Sequence, residues 1–134
     1  MARIGRHPVR SVMMRIVVTG GRDFIDVPLL WCRLDEAHSL VDITLLIDGA
    51  SDDVTGPYVG FDYWSNQWAL ARFIRTQRVH AEWRKYDQAA GPIRNQKMLA
   101  DYKPALLIAG PGKHGTANMM DLARKAGIEI REVR

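Results

Sequence analysis

The chain has 134 residues, of which 47% are hydrophobic and 25% charged, and a net charge of +4. That length suits one domain with a real core and is short for two, and the composition excludes a collagen-like chain, a disulfide scaffold and general disorder. The positive excess favours anionic partners without demanding nucleic acid.

Arg3, Arg6 and Arg10 fall within residues 1–13, with further candidate start residues at Met13 and Met14. Residues 1–13 are expected to form a disordered basic extension and residues 14–134 the domain proper. Cys32 is the sole cysteine, so an intramolecular disulfide or a multi-cysteine zinc site is excluded. It is expected to be a small core residue on a helix. No apolar run of signal-peptide length follows the basic start and no segment approaches a membrane span, so a cytoplasmic location and no membrane partner are expected.

Arg15 to Thr19 is rich in β-branched residues and stops at Gly20-Gly21, the pattern of a buried strand entering a tight turn. Asp26 as a cap, Pro28, and the helical spacing of Val27, Leu30, Trp31, Leu34 and His38 predict a helix over 27–39. Thr44 to Ile47 is a second strand ending at Asp48-Gly49. Residues 50–60 carry Asp, Ser, Thr, Gly and Pro without a period and read as a long inserted loop before an aromatic helix over 63–75. Arg78 to Ala81 reads as a short third strand, and Gly91-Pro92 opens a helix with Asn95, Met98, Leu99 and Tyr102 on one face. Ala105 to Ala109 is the strongest strand and runs into Gly110 to Gly115; a helix over 116–125 ends at Gly127, and Ile128, Ile130 and Val133 form a last strand.

This alternation predicts a Rossmann-like, three-layer α/β domain with a parallel sheet of roughly five strands. Ligands of such sheets bind at the carboxyl ends of the strands. The loops after the first, second and fourth strands, and the opening of the Gly91 helix, should therefore meet at one edge.

Gly110-Pro-Gly-Lys-His-Gly-Thr116 carries the most chemistry, because glycines between a buried strand and a helix let backbone N–H groups approach a phosphate while the helix dipole adds attraction. Gly110, Gly112, Lys113, Gly115 and Thr116 are its candidate ligands, with Thr116 able to cap the helix or donate to the ligand. The spacing satisfies the dinucleotide fingerprint, yet the chain ends too soon after it for a full dinucleotide fold, and Thr116 stands where a P-loop needs lysine. Gly20, Gly21 and Arg22 offer a second flexible turn beside a planar cation. Arg94 falls in the predicted first turn of its helix, where a cation opposes the macrodipole unless an anion sits there. Asn95 follows it. Asp48, Asp52, Asp53 and Asp62 are of the type that holds magnesium or ribose hydroxyls, but acids in loops are usually solvated or capping. No metal or cofactor is assigned. Tyr63 and Trp64 could stack on a base, whereas Trp68 reads as core. His7, His38, His80 and His114 lack metal-ligand spacing, and only His114 lies in a candidate loop.

The segments Gly20-Gly-Arg-Asp-Phe24, Ala90-Gly-Pro-Ile-Arg-Asn95 with Met98, and Pro111-Gly-Lys-His-Gly-Thr116 resemble the YspA-type, cpYpsA-related branch of the SLOG superfamily, relatives of the LOG phosphoribohydrolases and of the DNA-processing protein DprA. The resemblance implies a Rossmann-like fold that binds nucleotides or nucleotide-derived ligands, in a group often encoded by phages or conflict systems and commonly self-associating. The branch usually carries a compact Gly-Ala-x-Gly-Ala-Asp; here Gly49-Ala50 and Gly60-Phe-Asp62 are separated by the inserted loop, and Asp62 is matched to that aspartate. The glutamate that follows Gly-Thr in LOG enzymes is absent, since Ala117, Asn118, Met119 and Met120 occupy the stretch, with Asp121 the nearest carboxylate. The expectation is thus a non-catalytic protein that senses or sequesters a nucleotide-like ligand, as a homo-oligomer. A nucleoside 5′-monophosphate phosphoribohydrolase using Asp62 or Asp121 and a DprA-like binder of single-stranded DNA are the alternatives.

Overall fold

A computed structural model describes residues 13–52 and 59–134. The expectation for the basic extension, apart from Met13, and that for most of the inserted loop, Asp53 included, lie outside the described residues. In chain order the elements are β1 (Met13–Thr19), α1 (Val27–Leu40), β2 (Asp42–Asp48), α2 (Phe61–Ala71), β3 (Arg75–Arg78), a single turn α3 (Trp83–Tyr86) running through a 3-10 turn (Asp87–Ala89) into α4 (Ala90–Tyr102), β4 (Leu106–Ala109), α5 (His114–Lys125) and β5 (Glu129–Glu132).

The five strands pair in parallel in the order β3-β2-β1-β4-β5. The chain builds outward from β1 in one direction and from β4 in the other, so the switch point lies between these two central strands. Successive residues of a strand face opposite sides of the sheet, which is why the centre of β1 is apolar at every position: Ile16 and Val18 enter one core and Val17 the other. Leu30 and Leu34 of α1 and Phe61 and Trp68 of α2 fill the first core. Met98 of α4 and Met119 of α5 fill the second. The result is the expected three-layer, Rossmann-like α/β arrangement.

Five local expectations are corrected. β3 occupies 75–78 rather than 78–81, and α2 covers 61–71 rather than 63–75. Arg-Thr-Gln-Arg has no apolar signal; it is a strand because it pairs with Leu45–Asp48 at the sheet edge, where only part of the backbone must be covered. Cys32 is exposed, because the buried stripe of α1 runs through Leu30, Leu34 and Ala37 and leaves position 32 on the opposite side. Thr116 does not cap α5: the helix starts at His114 with Lys113 as a cap that makes no side-chain bond, and Thr116 is buried one turn further in. Finally, α4 begins at Ala90 on the end of the 3-10 turn, so Arg94 sits beyond its first turn and the conflict with the macrodipole is weaker than the sequence suggests.

Candidate functional site

Three chain segments are bound together at the switch point by main-chain bonds centred on Gly21. Its N–H donates to Pro111 O at 2.7 Å, and its carbonyl accepts from Phe61 N at 3.1 Å and Phe24 N at 3.3 Å. The β1 and β4 loops and the start of α2 are thereby held in one piece. A Cβ added at either Gly20 or Gly110 would lie 2.3 Å from the buried Phe61 ring, so these glycines serve the packing of that ring between the strand ends. Gly60, at φ 98°, backs directly onto Arg22: an added Cβ would meet Arg22 Cα at 2.9 Å. Here both the backbone conformation and the close approach demand glycine.

In front of this junction lies a cavity of about 350 Å³ lined by Thr19, Gly20, Gly21, Arg22, Asp23, Ser51, Asp62, Arg94, Lys113, Gly115 and Thr116. Loops far apart in sequence thus meet where the topology places a ligand edge. Arg22 and Lys113 are exposed and form no ion pair with any described residue. The N-terminal amides of α5, from His114 to Thr116, lack intrahelical acceptors by the geometry of a helix start, and no side chain caps them.

Arg94 is held differently. Its Nη1 donates to Gly49 O and its Nε donates to Asn95 Oδ1 at 2.9 Å. A Cβ at Gly49 would fall 2.6 Å from Nη1, so the guanidinium rests on a bare stretch of backbone. Asn95, buried on α4, also donates from Nδ2 to Gly115 O at 3.2 Å and to Asn118 Oδ1 at 3.0 Å, fastening α4 to the start of α5. Arg94 is therefore aimed by the backbone that follows β2 and by Asn95, which is itself tied to α5. Burial draws its pKa below the ordinary guanidinium value, against the pull of Asp62 and Asp48.

Behind Arg94 the acids form a buried network. Asp48 is fully buried, accepts from Ala50 N at 2.7 Å and pairs with Arg78 Nε at 3.0 Å. Asp52 pairs with both Arg78 terminal nitrogens. Burial works against the Arg78 charge, but Asp52 and Asp48 raise its pKa above the usual value. Asp62 accepts from Ser51 N at 3.2 Å at the cavity wall. Burial, followed by the neighbouring Asp62, pushes Asp48 up to about 8 against the opposing charge of Arg78. Asp62 is likewise raised by burial, despite the Ser51 hydrogen bonds and Arg94. Asp48 and Asp52 are thus not the solvated loop acids that their setting in sequence implies.

Of the predicted site residues, Gly20, Gly21, Arg22, Asp62, Arg94, Lys113, Gly115 and Thr116 line this cavity, and Gly49 lines an adjoining one. Asn95, Gly110 and Gly112 do not line it. Asn95 acts through its hydrogen bonds, Gly110 makes room for Phe61, and Gly112 faces the Thr116 hydroxyl, which a Cβ would strike at 2.1 Å. Tyr63 and Trp64 are not among the lining residues; Tyr63 Oη accepts from Gln67, and Trp64 packs on the core with its carbonyl bonded to Trp31. Asp121 is also remote, paired with Lys125 on the exposed side of α5. Sequence reasoning missed Ser51, which stands in both cavities, and Trp83, in the second. The run Gly49-Ala-Ser51 after a strand was a usable signal for the first; nothing local distinguishes Trp83. Among the described residues no cluster of His, Cys, Asp and Glu could hold a metal ion, and no helix is long and apolar enough to cross a membrane.

A family model described as YspA, cpYpsA-related SLOG matches residues 14–86, more than half of the chain. No curated protein matches it. Among solved structures, a UDP-N-acetylglucosamine 2-epimerase is similar with a TM-score of 0.54 at 13% identity, over 91% of this chain and 32% of the epimerase. A phosphoribosylglycinamide formyltransferase from Coxiella burnetii aligns with a TM-score of 0.43 at 12% identity, over 77% of this chain and 42% of that one. A glycinamide ribonucleotide transformylase from Symbiobacterium toebii gives 0.46 at 13%, over 87% and 50%. The chain spans between a third and a half of these proteins' lengths, and at such identities the likeness is one of fold.

Proposed function

The chain belongs to the YspA, cpYpsA-related SLOG family, whose membership suggests a nucleotide-related ligand, and from that premise we propose that the switch-point cavity binds the phosphate of a nucleotide or nucleotide-derived molecule. The protein then senses or sequesters that ligand, with residues 14–134 as the binding unit. The observation that carries this reading is the gathering of Arg22, Arg94 and Lys113 around the Gly21 and Gly115 backbone in one cavity. Such a setting offers planar cations for charge-assisted bonds and main-chain donors at a helix start. Asp62, which lines the same cavity, would meet a ribose hydroxyl.

A thermal-shift series with mono-, di- and cyclic nucleotides and inorganic phosphate tests the proposal. A ligand of the native state raises the melting temperature with concentration, by about 2.7 kcal/mol of added stability at a hundred times its Kd. Arg94→Ala should remove most of that rise. No shift with any member of the series defeats the reading.

One observation favours a hydrolytic second reading: Asp62 is a cavity-wall carboxyl whose proton is retained to higher pH by burial, the condition for a general acid. In that reading Arg94 anchors the phosphate of a nucleoside 5′-monophosphate while Asp62 assists loss of the base. Free base in chromatograms after incubation with the wild-type protein, and its absence with Asp62→Asn, would establish it over simple binding.

A further inference from the structure

A second cavity, of about 310 Å³, adjoins the first and shares Arg22, Ser51 and Arg94 with it. Its own walls include Ala50, His80, Ala81 and Trp83. Trp83 opens the single turn α3, none of whose residues is buried, and remains 39% exposed. A ring of that size ordinarily stabilises a fold by being covered. Trp31, Trp64 and Trp68 follow that rule, entering the first core or packing against it. Trp83 instead stands at a cavity. Its edge is nonetheless fixed, since a Cβ on the buried Gly91 would lie 3.6 Å from the indole Cη2, which sets the ring against the start of α4.

The two arginines lie on the boundary between the cavities. A phosphate gripped by them and by the glycine loops leaves the rest of its molecule with a route into the second cavity, whose size falls in the usual range for a small-molecule site. An indole beside such a space matches a flat π-face, which a nucleobase has and a sugar or a bare phosphate lacks. Resting on the proposal that the first cavity takes phosphate, we infer that the second cavity takes a heterocyclic base stacked on Trp83, so that the ligand is a whole nucleotide rather than a sugar phosphate.

Calorimetric titration of the full chain with ribose 5-phosphate and with the 5′-monophosphates of adenosine, guanosine, cytidine and uridine tests this. The best nucleotide should bind about 5- to 150-fold more tightly than ribose 5-phosphate, the range that base stacking supplies. Trp83→Ala should remove that advantage and Trp83→Phe should restore most of it, with circular dichroism confirming that each variant is folded. Equal affinity of wild type for nucleotides and ribose 5-phosphate overturns the base subsite while leaving the phosphate site standing. So does an equal loss for both ligand types in Trp83→Ala. Failure of every probe to bind overturns the phosphate reading and this one with it.

Discussion

The carboxyl edge of the sheet has two halves built on different principles. Around β1 and β4 the wall is main chain: Gly21 joins three segments through its N–H and carbonyl, and the cations Arg22 and Lys113 stand exposed in front of it. Beside β2 the wall is a packed network in which the buried Asp48, Asp52 and Asp62 lie against the half-buried Arg78 and Arg94. Exposed cations can meet an anion with little cost to the fold, because water screens and solvates them in its absence. Buried ones must be satisfied at all times. The first half should therefore govern binding and the second half stability, with Arg94 belonging to both.

The largest effect expected from this contrast is at Arg78. Arg78→Met takes away the shared partner of two buried carboxyl groups, Asp48 at 0% and Asp52 at 5% exposure, and should cost about 3–5 kcal/mol, a large part of a small domain's stability. The loss should shrink as pH falls below about 8, where the Asp48 carboxyl takes up its proton. Lys125→Met, which breaks an exposed pair at 3.1 Å with Asp121, should change stability by less than about 0.5 kcal/mol. Urea unfolding of both variants at pH 5 and pH 8 checks the comparison, and similar costs for the two would remove its basis.

Next in size are the glycines against Phe61. Gly110→Ala drives a methyl into a ring that is fully buried and should destabilise by about 1–3 kcal/mol. Adding Phe61→Leu should recover part of that loss, a coupling that a double-mutant cycle reads directly. These glycines also mark how far the sequence could be read. The strand ends at Gly20 and Gly110 were legible because glycine after a β-branched run signals a turn, and the convergence of their loops followed from parallel topology. Which glycines border the cavity and which make room for Phe61 was not legible, since that depends on a ring supplied from α2, well removed in sequence from both. The polar half was hidden for a related reason. Asp48 and Asp52 look like loop acids until β3, a strand with no apolar signal, brings Arg78 beside them. Likewise Cys32 resembled a core residue by type, and only the rotation of α1 decided otherwise.

A smaller effect concerns pH. The Asp48 carboxyl is raised from 3.8 to about 8, by burial first and by Asp62 second. The native chain then keeps a proton that the unfolded chain releases, so this group's contribution is complete below about pH 4 and declines as pH rises toward 8. Asp62→Asn removes the second cause and also the raised titration of Asp62 itself. Denaturant midpoints measured across that window should fall more steeply for wild type than for Asp62→Asn. Parallel profiles would show that the two carboxyls do not share their proton balance in this way.

The smallest change to the fold should come from Lys113, and there the two halves separate most cleanly. Its side chain is exposed at the cap of α5 and makes no bond that holds the cap. Lys113→Ala should therefore alter unfolding free energy by no more than about 0.5 kcal/mol. Anion affinity should still fall several-fold, and its dependence on salt should weaken, because a cation at the cavity mouth acts through a screened field. Gly49→Ala supplies the counterpart. It puts a methyl where the Arg94 guanidinium rests, so it should disturb binding by displacing a half-buried cation whose charge is unchanged. The salt dependence of the remaining affinity should then stay near that of wild type. If instead both variants flatten the salt dependence equally, long-range charge rather than the seating of Arg94 controls the site, and the division between a screened half and a packed half fails at the residue that joins them.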